Sequence, residues 1–251
     1  MTHSSTKAVI IVPTYREYDN LKELSSKVWK SAPDMHMVIV DDFSSDGTPD
    51  WVRSQPQFQK QLFLIERPSK LGLGTAYLKG FQWALENHYD YILQMDADLS
   101  HDPHQVPELL KIATDNGADL VLASRYLRGV RILNWPIARL LLSKTASLYV
   151  RVLTGMPYTD PTGGFKCWSR SLLEKYDFAC IRSVGYAFQI EMTYIAWKLG
   201  AQIIEVPTVF EGRHAGSSKL SSISIVTEGI RLVLQLALKG SSSIKHRRNT
   251  K

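Results

Sequence analysis

The sequence predicts an α/β fold with a mainly parallel, twisted sheet covered by helices on both faces. Three observations predict it. Short, near-continuous apolar runs rich in Val and Ile recur through the first half, helical patterns separate them, and polar residues gather where the runs end. Residues 8–14 (AVIIVPT) read as the first buried strand, and 20–32 as a helix entered from Asp19 and Asn20. Residues 35–42 (MHMVIVDD) form the next strand, and the turn 44–49 caps a short helix. A strand over 61–66, a helix over 75–87, a strand over 91–95, a helix over 103–116 and a strand over 119–124 follow. Open parallel sheets bind ligands beyond the carboxyl ends of their strands. Tyr15-Arg16-Glu17, Asp41-Asp42, Asp96-Ala97-Asp98 and Arg125 all fall at such ends.

The composition narrows the class. The chain has 251 residues, 44% hydrophobic and 22% charged, which are globular values that exclude a disordered chain. Cys167 and Cys180 cannot form a disulfide framework and read as small buried apolar groups, which predicts a reducing compartment. The opening Met-Thr-His-Ser-Ser-Thr-Lys lacks the apolar core of a secretory signal, which predicts a cytoplasmic chain. No run approaches the about 18 apolar residues of a membrane span. Residues 1–239 read as one domain and 240–251 as a basic, flexible tail.

The net charge of +6 is localised. Between Asp119 and Asp160 there is no acid, but there are six bases: Arg125, Arg128, Arg131, Arg139, Lys144 and Arg151. Lys245, Arg247, Arg248 and Lys251 form a second basic cluster. Such stretches attract nucleic acid, anionic lipid or phosphorylated substrates; acidic strand ends argue against nucleic acid. A helix over 137–153 would gather Arg139, Ser143, Lys144, Ser147 and Arg151 in an arc of about 140°, with Leu141, Leu142, Leu148, Val152 and Leu153 opposite. That is the pattern of a helix lying in a membrane interface. The competing reading packs the apolar side on the helix's own domain. Residues 223–238 form a second helix with a wide apolar arc.

Two carboxylates at the tip of a buried strand repel unless a cation lies between them. Oxygen ligands such as Asp96 and Asp98 suit Mg2+ or Mn2+ bridging to substrate phosphates. Asp102 and Pro103 open the following helix, which predicts solvated imidazoles at His101 and His104. Tyr77 replaces the third glycine of a dinucleotide fingerprint after Gly72-Leu73-Gly74, and neither a Walker loop nor a Gly-x-Ser-x-Gly elbow occurs.

Several motifs occur together. Pro13-Thr14-Tyr15-Arg16-Glu17, Val40-Asp41-Asp42-Phe43-Ser44 with Asp46-Gly47-Thr48, Leu71 to Tyr77, and Met95-Asp96-Ala97-Asp98-Leu99-Ser100-His101 precede Ser124-Arg125-Tyr126. Asp160 to Lys166, Gly185 to Met192, Val206-Pro207 through Arg213, and Ser218-Lys219-Leu220 come after it. Together they resemble glycosyltransferase family two with the GT-A fold, and within it the dolichol-phosphate (polyprenol-phosphate) mannosyltransferases. Arg16 stands where that family usually has Asn, and Gly164 where Ser is frequent. The variant loop His214-Ala215-Gly216-Ser217 bears on sugar selectivity.

The resemblance implies a metal-dependent, inverting transferase that uses GDP-mannose as donor and a polyprenyl monophosphate as acceptor. Pro13, Tyr15, Glu17, Val40 and Asp42 would hold guanosine, with Asp41 a further contributor. Asp96 and Asp98 would hold Mg2+ or Mn2+ against the diphosphate, and Ala97 would lend backbone contact. Arg125, Arg213 and Lys219 would meet phosphate or mannose oxygens, with Asp98 completing the catalytic set, and Arg139 would meet the lipid phosphate. The expected setting is the cytosolic face of a membrane, with or without a small anchoring subunit. The alternatives are a UDP-glucose-dependent polyprenyl-phosphate glucosyltransferase and a non-catalytic nucleotide-binding membrane subunit.

Overall fold

The computed structural model describes residues 6–212 and 223–239. Alternating strands and helices run from β1 (Ala8–Thr14) through α1 (Tyr18–Ser31), β2 (His36–Asp41), α2 (Thr48–Ser54) and β3 (Leu62–Glu66) to α3 (Leu73–Glu86). They continue with β4 (Tyr91–Gln94), a 3-10 turn (Pro103–Gln105) leading into α4 (Val106–Asn116), and β5 (Leu120–Ser124). The second half holds β6 (Ile132–Leu133), α5 (Ile137–Thr154), β7 (Lys166–Ser169), α6 (Arg170–Leu173), α7 (Ala187–Lys198), β8 (Ile203–Pro207), β9 (Phe210–Glu211) and α8 (Ile223–Lys239). Every strand and helix expected in the first half is present, displaced at its ends by two residues or fewer, apart from the 3-10 turn opening α4.

Seven strands form one sheet in the order β3-β2-β1-β4-β7-β5-β8. All neighbours are parallel except β7, which runs antiparallel to both β4 and β5. Side chains alternate across the sheet. Ile10 and Val12 of β1 join Leu21, Leu24, Val28 and Leu109 on one face. Val9 and Ile11 join Tyr77, Phe81, Trp168 and Phe188 on the other. Gly80 lets α3 lie close to the sheet, because a Cβ there would come within 2.5 Å of Ile11 Cγ2. From β1 the chain winds outward through β2 and β3, then returns to place β4 on the other side of β1. The crevice between the β1 and β4 carboxyl ends is therefore a topological switch point.

The strands β7 and β8 were not anticipated, because Lys166-Cys167-Trp168-Ser169 lacks an apolar run and residues 203–207 are only half-buried. Helix α5 has its expected extent but an inverted packing. Ser147, Val150 and Thr154 face inward, Arg139 and Arg151 are half-buried, and Leu141, Leu142, Leu148 and Val152 are exposed. That exposure runs against the reading in which those leucines pack on the domain. Beneath α5, Val150 and Met156 meet Ile190 and Tyr194 of α7 and Leu232, Val233 and Leu236 of α8. Among the described residues, no helix is long and apolar enough to cross a membrane.

Candidate active site

Asp96 and Asp98 follow β4 directly, at the switch-point crevice. The Tyr77 hydroxyl of α3 donates to Asp96 Oδ1 at 2.8 Å. Burial and Asp96 together push that phenol well above its usual range, so it stays protonated as a donor. Asp98 is buried and accepts from the Ser100 amide at 3.1 Å. Ser100 Oγ is buried without a hydrogen-bond partner among the described residues. Asp96 and Asp98 offer only oxygen, which suits Mg2+ or Mn2+, and among the described residues no third Asp, Glu, His or Cys joins them in a cluster. Ala97 is buried between the two acids.

Three strand ends carry a non-glycine residue in the left-handed region: Arg16 (φ 59°) after β1, Phe43 (φ 64°) after β2 and Leu99 (φ 60°) after β4. Such conformations cost free energy and gather where loops are shaped for a ligand. Tyr15 is half-buried, with Lys70 Nζ 3.8 Å from its ring centroid. Pro13 is half-buried at the end of β1, and Glu17 accepts from Asn20 Nδ2 at 2.7 Å.

The acids after β2 bind the protein itself. Asp41 accepts from Thr14 Oγ1 at 2.7 Å and from the Ser44 amide at 2.8 Å. Asp42 accepts from the Gly72 amide at 3.0 Å and pairs with Arg67 Nη1 at 2.6 Å. Arg67, which the sequence did not single out, also donates to Thr75 Oγ1 at 2.6 Å. Asp42 thus ties β2 to the loop ahead of α3. Val40 lies fully buried in the core, so its side chain packs the sheet and only its backbone is left for a ligand.

Arg125, at the end of β5, is held by Asp160. Its Nε and Nη2 donate to the two carboxylate oxygens at 2.6 and 2.7 Å, and Nη2 also donates to Thr162 Oγ1 at 2.7 Å. Burial by itself would lower the guanidinium, but Asp160 raises it above its ordinary value; burial raises Asp160, and Arg125 pulls it back below. The ion pair is therefore fully charged at neutral pH. Among the described residues, Nη1 takes no part in these bonds. Tyr126 and Ser147 join this pair to α5: the Tyr126 hydroxyl donates to Ser143 Oγ at 2.7 Å, and Ser147 Oγ lies 3.4 Å from Thr162 Oγ1. Arg139 sits 4.0 Å from the Trp135 ring centroid on the inner side of α5. Arg213, Lys219 and the tail 240–251 lie outside the described residues.

His101 departs from expectation. His104 is exposed and Asp102 caps its amide at 2.9 Å, but His101 is buried between Phe165 and Phe210. Burial lowers its pKa to about 4, with Asp98 opposing and Arg125 reinforcing the shift. Cys167 is fully buried as expected, whereas Cys180 is half-buried, with its thiol donating to Asp177 at 3.3 Å. Two further residues gave no catalytic signal in the sequence. Glu191 accepts from the Arg182 and Ser183 amides, and Lys166 lies fully buried in β7 with its pKa lowered by burial to about 7.

The chain is 40% identical over 238 residues to a polyprenol monophosphomannose synthase of Mycolicibacterium smegmatis, covering 93% of this chain and 88% of that one. It is 39% identical over 224 residues to an undecaprenyl-phosphate mannosyltransferase of Micrococcus luteus, covering 89% and 91%. Among solved structures it is similar in fold to glucosyl-3-phosphoglycerate synthase of Mycobacterium tuberculosis in complex with Mn2+, uridine-diphosphate and phosphoglyceric acid. That match has a TM-score of 0.66 at 17% identity, over 96% of this chain and 80% of that one. Residues 9–177, from β1 through β7 and α6 and including both strand-end carboxylates, match the description Glycosyl transferase family 2, and the chain belongs to that family.

Proposed function

We propose that this enzyme transfers mannose from GDP-mannose to a polyprenyl monophosphate at a membrane surface, releasing GDP and inverting the anomeric centre. The observation that carries the reading is that one helix joins the reaction centre to an apolar surface. The inner side of α5 meets the Arg125–Asp160–Thr162 cluster through Ser147 and its neighbour Tyr126 through Ser143, while Leu141, Leu142 and Leu148 on its outer side are exposed. Exposed Ile230, Leu234 and Leu238 of α8 extend the apolar area. A polyprenyl chain stays in the bilayer, so its phosphate must reach the site at the headgroup layer. The names of the two mannosyltransferase relatives support the sugar and the lipid class.

A divalent cation held by Asp96 and Asp98 would neutralise charge on the departing diphosphate. Arg125, kept charged by Asp160, turns its remaining edge toward that charge as it develops. Arg213 and Lys219 are assigned the same task, Arg139 the acceptor phosphate, and Pro13, Tyr15, Glu17 and the β2 end the guanosine. The acceptor is already anionic near neutral pH, so it attacks the anomeric carbon without a strong base, and one direct displacement inverts that centre.

The test is incubation with radiolabelled GDP-mannose, UDP-glucose and other sugar nucleotides plus polyprenyl phosphate, followed by organic extraction. Label from GDP-mannose should enter the lipid phase only with Mg2+ or Mn2+ present; label from UDP-glucose alone would overturn the donor assignment. Asp98→Ala should lower transfer by about a hundred-fold or more, while thermal stability holds or rises because one of two repelling carboxylates is gone. Near-normal metal-dependent transfer by that variant would remove Asp98 from the reaction.

A further inference from the structure

Three polar side chains from distant parts of the chain converge above Gly164. A Cβ built on that glycine would lie 3.5 Å from His101 Nε2, 3.6 Å from Asp96 Oδ2 and 3.6 Å from Gln189 Nε2. The space a side chain would take is thus bordered by nitrogen and oxygen atoms.

The Gln189 amide is locked in one orientation. Lys166 Nζ and Gln94 Nε2 both donate to Gln189 Oε1, at 2.8 and 2.7 Å. Trp168 Nε1 in turn donates to Gln94 Oε1 at 3.1 Å, and Lys166 Nζ also donates to the Gln189 carbonyl at 3.1 Å. All four residues are buried. With Oε1 taken by two donors, Nε2 is the atom turned over Gly164. His101 is only 3% exposed, and neither of its ring nitrogens has a hydrogen-bond partner among the described residues. Buried polar atoms left in this condition cost free energy that a ligand can recover.

We infer that the space over Gly164 is a subsite for one hydroxyl of the transferred sugar. A hydroxyl both donates and accepts: it can donate to Asp96 Oδ2 and accept from Gln189 Nε2 or from Nε2–H of the neutral His101 imidazole. A phosphate oxygen only accepts and carries charge that Asp96 repels. Asp96 is also the carboxylate assigned to the diphosphate's cation, which puts the subsite within reach of a sugar attached to that diphosphate. Lys166 is then a positioning residue that sets the Gln189 amide. The inference deepens the proposed transfer from GDP-mannose and rests on that reading.

The experiment is calorimetric binding of GDP, GDP-mannose and a series of singly deoxygenated GDP-mannoses, with Mn2+, to the wild-type chain, Gly164→Ala and Lys166→Met. The alanine methyl would meet the three atoms at ordinary contact distances, so the fold is expected to survive. Wild type should bind one deoxy donor about ten-fold more weakly than GDP-mannose. Gly164→Ala should bind GDP-mannose itself about ten-fold more weakly, bind GDP unchanged, and no longer discriminate against that deoxy donor. Lys166→Met should lose the same discrimination with GDP affinity kept. Wild-type discrimination in Gly164→Ala, or equal losses on GDP and GDP-mannose, would overturn the subsite; a space filled only by water gives the first of these. Discrimination intact in Lys166→Met alone would overturn its positioning role. Wild type that neither binds nor uses GDP-mannose would sink the reading beneath the inference as well.

Discussion

The two halves of the molecule use the same residue types in opposite ways. In α1, Leu21, Leu24 and Val28 are buried and the charged residues face outward. In α5, Ser147 and Thr154 are buried, Arg139 and Arg151 turn inward, and the leucines face out. The sheet shows the same contrast: β1 and β2 are filled with Val and Ile, whereas β7 places Lys166 in the middle of the sheet. The first half exposes few large apolar side chains, Phe43 and Leu71 among them. Both halves bury a paired charge, Arg67–Asp42 in the first and Arg125–Asp160 in the second, but the second adds the buried Lys166 and a row of exposed leucines, a cost that a surface can offset.

The largest effect should come from the buried ion pair of the second half. Asp160→Asn leaves the Arg125 guanidinium buried without its counter-charge, and breaking such a pair costs about 3–5 kcal/mol. Urea unfolding checks this. Burial raises the Asp160 pKa but Arg125 brings it below the ordinary value, so the folded state holds its proton less tightly than the unfolded state. The stabilisation is therefore present above the unfolded value and is lost as pH falls through the folded one. Acid unfolding of Asp160→Asn should lack that component.

Leu24→Ala, in the conventional half, should cost about 3 kcal/mol through lost burial and a cavity. A value near zero would mean that α1 is as loosely committed to the core as the outer side of α5.

Lys166 sharpens the contrast from the opposite side. Burial lowers its pKa to about 7, far below the unfolded value. Between pH 7 and the unfolded value, the unfolded chain keeps a proton that the folded chain has released, so stability rises with pH. The wild-type unfolding free energy should climb by about 2 kcal/mol from pH 7 to pH 9. In Lys166→Met that slope should flatten; an unchanged slope would show that the buried amine is not its source.

How much was legible in the sequence follows the same division. The first five strands announce themselves as apolar runs: β1, β2, β4 and β5 are buried on both faces, and the edge strand β3 keeps Leu-Phe-Leu-Ile although it is largely half-buried. The antiparallel β7 does not, because it is only four residues long and Lys166 and Ser169 leave just two apolar positions between them. Asp96-Ala97-Asp98 and Asp41-Asp42 carry the same signal, paired acids at a strand end, yet Asp41 and Asp42 also bind backbone amides and Arg67. Composition does not show which acids also hold a loop. His101 was read as solvated because Asp102-Pro103 announces a helix start on the surface, whereas its isolated bridge to Phe210, more than a hundred residues away, draws it inside. The helical angles of α5 were correct, and only tertiary structure could say which arc faces in.

The smallest stability effect belongs to α5, and it is the most telling. Leu141, Leu142 and Leu148 are 59%, 52% and 56% exposed, so replacing all three by Ser removes little buried area. Changes at exposed positions usually stay within about 0.5 kcal/mol, an order of magnitude below three core leucines. The triple variant should therefore unfold at the wild-type urea midpoint and bind GDP as before. Sedimentation with vesicles containing anionic lipid should fall, because those leucines would supply the salt-insensitive part of adsorption. The residual binding should come from basic residues and vanish at high salt. If the variant is folded and its vesicle binding at high salt is unchanged, the exposed leucines are not the membrane contact. If instead it unfolds, the outer side of α5 is core after all, and the contrast between the two halves fails at its clearest point.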